Sequence, residues 1–199
     1  MFAKVAAIVA LACLGALAGC QANTEAGPVT ATLAQPGWEK GPVVGLPAPR
    51  IEFTSQDGKA RAVRGNTGWI TLLAFVPTEG KECDYLLPIL VEAAGRYYNK
   101  PIRVVQVAEP AKDCPHCEGC MEASHVHILH LLALCDASHK AYGAFGRPAP
   151  GTLLLVGTDG KVMAISKVDE VSKLYPKLDE MASAMERQNL PLYAQTYSE

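Results

Sequence analysis

Two continuous apolar runs, Ile70 to Val76 (ITLLAFV) and Ile102 to Ala108 (IRVVQVA), with one amphipathic stretch between them, constrain the fold of this 199-residue chain most. Unbroken runs rich in strand formers suit strands buried on both faces rather than half-exposed ones. Between them, from about Asp84 to Tyr98, Leu86, Leu87, Leu90, Ala93, Ala94 and Tyr97 recur at helical spacing. Pro88 falls within the first turns of that helix, where proline is tolerated. A strand, a helix and a strand at this separation predict a right-handed parallel crossover. Both strands then release their following loops at the same end of the sheet, where open α/β sheets place their sites.

The remaining elements follow from shorter patterns. Ile51 to Val63 reads as a hairpin, IEFTS and KARAV joined across Gln56-Asp57-Gly58. Residues 122 to 132 are expected to be helical, with a short strand at Leu131 to Leu134 and another helix from Ala137 to Phe145, ended by Gly146 and Pro148. Thr152 to Val156, the turn Gly157-Thr158-Asp159-Gly160 and Lys161 to Val168 predict an antiparallel hairpin. An amphipathic helix from Asp169 to about Gln188 closes the domain, and residues 189 to 199 form a tail.

The N-terminus carries Lys4, an apolar run from Val5 to Leu17, and then Leu17-Ala18-Gly19-Cys20. The uncharged stretch before Cys20 is about 15 residues, short of the roughly 20 that a bilayer core requires, so it reads as a signal peptide over residues 1 to 19. Leu17 to Cys20 resembles the lipobox of bacterial lipoproteins, which implies cleavage before Cys20, acylation of that residue and export. Several acyl chains give durable anchoring where one does not. Gln21 after the cysteine implies, by the same resemblance, an outer-membrane location facing the periplasm. Residues 20 to 45, rich in Ala, Gly, Pro and Thr, read as the lipidated cysteine and a flexible tether. That leaves residues 46 to 188 for one domain with one core. A net charge of −2 and the lack of a basic stripe argue against a nucleic-acid partner.

From about Gly45 to Met185 the chain resembles the thioredoxin-like redoxins that bacteria tether outside the membrane, thiol-disulfide oxidoreductases and peroxiredoxin relatives among them. The matching pieces are Gly45-Leu46-Pro47-Ala48-Pro49, the LLAF strand, Pro88, Asp136 with Ala141-Tyr142-Gly143, Pro150 with the TLLLV strand, and Asp159-Gly160. The resemblance implies an α/β thioredoxin-like fold, a central mixed sheet flanked by helices, with the N-terminal hairpin as an extension. It also implies thiol-disulfide exchange with protein thiols or disulfides of the envelope and no required cofactor.

The family's first C-x-x-C cysteine lies five positions after an aromatic strand residue; counting from Phe75 brings Gly80 there and Cys83 to the second position, with Pro88 five beyond. The absent cysteine is the one a helix N-terminus would stabilise as a thiolate. The peroxiredoxin spacing after Pro77-Thr78 is not met either. Cys83 is then a lone nucleophile or an inert half-buried thiol, and Glu79, Glu82 and Asp84 around it favour the protonated form. Pro150 stands near the family's cis-proline position, with Pro148 as a competitor.

Four of the five cysteines beyond Cys20 and all five histidines fall between residues 114 and 139. Cys114-Pro115-His116-Cys117 matches the redox motif of strongly oxidising periplasmic disulfide donors, which makes Cys114 and Cys117 candidates for the missing thiol, beside Cys83 and Pro150. Cys114, Cys117, Cys120, His116, His127 and His130 also stand at spacings suited to Cu or Zn, an alternative metal-binding module. A third alternative is structural disulfides on a degenerate, non-catalytic scaffold.

Overall fold

In the computed structural model, the described residues are 26–33, 35–54, 59–63, 68–77, 81–109 and 131–187. Strands β4 (Ile70–Pro77) and β5 (Ile102–Glu109) are parallel, in register from Ile70 opposite Ile102 to Pro77 opposite Glu109, and α1 (Lys81–Arg96) crosses between them as expected. β6 (Leu131–Cys135) adds parallel to β5, and β7 (Thr152–Val156) and β8 (Val162–Lys167) continue antiparallel on the other side of β4. The hairpin of β2 (Arg50–Thr54) and β3 (Ala60–Val63) forms where its turn signal predicts.

The tether expected over residues 20 to 45 is corrected by β1, Ala26–Leu33. Its first residues pair parallel with β6, Ala26 opposite Ala133 and Pro28 opposite Cys135. After a register shift between Val29 and Ala31 it pairs antiparallel with β2, completing the order β3-β2-β1-β6-β5-β4-β7-β8. Gly27 and Pro28 disfavour a strand locally, and proline is confined to edges and irregular places in a sheet. Here Pro28 stands beside the register shift, and two neighbouring strands supply the pairing that the sequence does not advertise. Trp38, also in the expected tether, is only 2% exposed.

Alternation along β4 divides the interior. Ile70, Leu72, Ala74 and Val76 join Leu86, Leu90 and Ala93 of α1 and Tyr97 just after it, whereas Leu73 and Phe75 join Trp38, Ile51, Phe53, Tyr142 and Phe145 on the opposite face. This is the two-faced burial that the unbroken apolar runs imply.

Two helices are shorter than their patterns suggest. α2 covers Lys140–Ala144 only, and the closing helix is divided into a 3₁₀ stretch, Val168–Leu174, and α3, Tyr175–Arg187. Pro176 is the reason for the second difference. Lacking an N–H, it cannot bond back to Ser172, and it favours the first turn of a new helix. Of the helix expected at 122 to 132, residues 122–130 lie outside the described residues, and Leu131 and Leu132 belong to β6.

The α1–α3 contact yields a pH prediction. Tyr97 Oη donates to Asp179 Oδ1 at 3.0 Å, and the Arg96 guanidinium stacks 4.5 Å from the Tyr175 ring centre. Burial pushes the Tyr97 phenol up to about 12, so the fold favours its protonated form. An unfolded tyrosine ionises near pH 10, so this contribution is present below about pH 10 and disappears as pH rises towards 12. Thermal melts from pH 9 to 12 should show a falling Tm, with a shallower fall in Tyr97→Phe. Tyr175, raised by burial as well, acts in the same direction.

Candidate functional site

The carboxyl ends of β4, β5 and β6 form one row, because Val76 stands opposite Ala108 and Ala108 opposite Cys135. The loop after β4 leads directly into α1, whose third residue is Cys83. β5 leaves the sheet at Glu109, five residues before Cys114. The antiparallel β7 begins where β4 ends, which brings Pro150 to the same place. Gly151 N–H donates to Phe75 O at 2.7 Å, and a Cβ built on Gly151 would lie 3.6 Å from Leu86 Cδ1 of α1. Pro150 is therefore placed just before the strand that enters beside the end of β4, and it is exposed.

One expectation fails here: among the described residues no peptide bond is cis, so the bonds before Pro148 and Pro150 are trans. The positive φ of Arg147 (54°) and Gly151 (78°) instead turns the chain on either side of these prolines. Leu153 to Val156 then enter the sheet in register with β4.

Cys135 is one of the four cysteines that fall between residues 114 and 139, and no motif places it in the site. The register does, as the last residue of β6, half-buried and without a disulfide among the described residues. Its only local sign is that the apolar run LLALC ends on it. Which strand end it would stand beside is a matter of sheet order. Cys114, Cys117, Cys120, His116, His127 and His130 lie outside the described residues, so the redox and metal readings of that segment stay separate from this geometry. Among the described residues no three potential ligands converge on a metal site.

The next residue, Asp136, anchors this end. It is fully buried; Oδ1 accepts from Lys140 N–H at 2.9 Å and Oδ2 from Tyr142 N–H at 2.8 Å, while its own N–H donates to Ala108 O. Burial pushes its carboxyl up, opposed by those N–H groups and by His139. The carboxylate thus satisfies the open start of α2 and fixes the chain leaving Cys135. Asp136→Ala would leave two amides unpartnered and should cost about 2–4 kcal/mol, measured by urea denaturation, whereas Asp136→Asn, keeping one acceptor, should cost less.

No family model matches the sequence, and no curated protein does. Solved structures do match. The thioredoxin domain of a thiol-disulfide oxidoreductase from Bacteroides vulgatus is 16% identical, with a TM-score of 0.55 over 71% of this chain and 99% of that one. A candidate thioredoxin from Neisseria meningitidis is 25% identical, with a TM-score of 0.55 over 67% and 88%. A candidate thiol:disulfide interchange protein DsbE from Chlorobium tepidum is 19% identical, with a TM-score of 0.55 over 70% and 98%. The chain has a thioredoxin-like fold, the fold of these thiol-disulfide oxidoreductases. Among the described residues no helix is long and apolar enough to cross a membrane.

Proposed function

We propose that this is an exported, lipid-anchored thioredoxin-like protein that exchanges thiols and disulfides with proteins of the cell envelope. One observation supports the reading: β4 and β5 are parallel, so the segments that follow them in sequence, one carrying Cys83 and the other Cys114 and Cys117, leave from the same end of the sheet, where β7 begins after Pro150. The lipobox ending at Cys20 supports the location, with Gln21 favouring the outer membrane.

In this mechanism a thiolate from Cys83, Cys114 or Cys117 attacks one sulfur of a partner disulfide. The other partner sulfur leaves as a thiolate and takes a proton. A second cysteine of the set then attacks the mixed disulfide and releases the first partner sulfur, so the partner gains two electrons and two protons while this chain gains a disulfide. Gly80 stands where the family carries its first cysteine, so the neighbouring loop would supply the attacking thiol. Pro150 would border the groove in which the partner chain lies.

The test uses residues 21 to 199, with dithiol exchange, free thiols and bound metal measured together. Cys114→Ser with Cys117→Ser should lower exchange by at least about 100-fold, since a hydroxyl is a far weaker nucleophile than a thiolate at neutral pH. Unchanged exchange in that pair would move the chemistry to Cys83. Stoichiometric Cu or Zn on Cys114, Cys117, Cys120, His116, His127 and His130, with no exchange, would replace the redox reading by the metal one.

A further inference from the structure

β8 stands last in the strand order, so along most of its length one side has no strand beside it among the described residues. Its start is covered: Pro47 bridges to Lys161, Gly45 N–H donates to Val162 O, and Val162 N–H donates to Leu46 O. The covering segment then turns at Gly45, whose φ is +92°. At the other end the 3₁₀ stretch begins with Val168. Between these two stops, Met163 to Lys167 form an open edge, with Lys177 Nζ 3.4 Å from Met163 O.

This window is mostly apolar, where edge strands usually carry charge. Met163 is 38% exposed and Ile165 41%, and the exposed Val43 and Val44 lead into Gly45. Lys167 is the only charged residue in it. A Cβ built on Gly157 would lie 3.1 Å from Asp159 Oδ1 and 3.2 Å from Met163 Cγ, so a carboxylate stands beside the thioether. Asp159 is exposed and holds the Lys161 ammonium only loosely, at 3.9 Å.

We propose that two copies of this chain join edge to edge through β8, antiparallel about a two-fold axis at Ile165. That axis sets Met163 of each copy opposite Lys167 of the other, so the lysine lays its stem on the methionine and its ammonium reaches Asp159. Two ion pairs result, one on each side of the axis. A shift of register towards the turn drives the second strand into Leu46, and a shift the other way carries it onto the 3₁₀ stretch. The matched charges favour a second copy over an unrelated extended segment. With about five residues a side, against roughly 20–30 in a standard interface, the dimer is weak. The proposal is independent of the thiol chemistry and of the lipid anchor.

Isotope-mixed crosslinking tests the contact. Full-length chains of natural and heavy-nitrogen composition are mixed in detergent at about 0.5 mM, a concentration suited to so small an interface. A carbodiimide then joins amines to carboxylates in contact. The expected product links Lys167 to Asp159 with one light and one heavy peptide. Lys167→Glu and Asp159→Lys should each lower the link between positions 167 and 159 at least about tenfold, because like charges then face each other. Mixing the two variants should restore it to within about twofold, since both pairs are again opposite in sign. A parent protein without the mixed product, or with Lys167 joined across copies to other carboxylates instead, would overturn the proposal. Variants that melt like the parent and yet fail to restore the link on mixing would overturn it as well.

Discussion

Gly146→Ala is expected to destabilise the fold by about 3–5 kcal/mol and to lower Tm by about 10–20 °C, the largest effect of an added methyl among the described glycines. Gly146 has φ +72°, and a Cβ built on it would overlap Trp38 O and come within 2.5 Å of Gly41 N and 2.6 Å of Gly41 Cα. These are backbone atoms of a tight turn, Gly41 N–H donating to Trp38 O at 3.0 Å, so no side chain can swing aside. Relief requires the strap around Trp38 to lift from the corner after α2. Urea denaturation followed by fluorescence would show it. A midpoint within the error of the parent would mean that strap and corner do not touch.

Trp38→Ala should cost about 3–5 kcal/mol, the range for deleting a large buried aromatic. Its ring meets Phe145 edge-on at 5.0 Å, Phe145 lies 5.2 Å from Phe75, and Nε1 donates to Pro47 O at 3.0 Å. Trp38→Phe keeps part of the ring and should cost about half as much, losing the hydrogen bond and some contact area. Under the tether reading, either change would be neutral. Calorimetric melts of both variants decide between the two descriptions, and a Trp38→Ala protein that melts with the parent would restore the tether.

The contrast between these two positions and the β4–α1–β5 unit shows what local pattern can and cannot carry. Leu86, Leu90, Ala93 and Tyr97 repeat at helical spacing because each must reach the same face of β4, so their burial is written into their spacing. The β7–β8 hairpin is legible for a similar reason, with apolar runs on both sides of a Gly-containing turn. β1 has no such mark. Gly27 and Pro28 speak against a strand, and its small residues Ala31 and Thr32 carry little hydrophobic contrast. The break at Pro176 was legible in principle, since a proline one residue into a helix is a start signal, but the amphipathic pattern runs across it without interruption.

The candidate site divides along the same line. The sequence by itself supplied the chemistry available: Leu17 to Cys20, which resembles a lipobox, five cysteines after Cys20, and the β4–α1–β5 crossover that sends two loops to one end. It could also name Pro150 and Asp136 from their motifs. The tertiary structure alone decided that Cys135 stands in the same row as Val76 and Ala108, that the bond before Pro150 is trans, and that Ala26 to Leu33 pair in the sheet. The physical reason is range. A helix or hairpin is specified by residues a few positions apart, whereas strand order and register are settled by side chains tens of residues apart competing for one buried face.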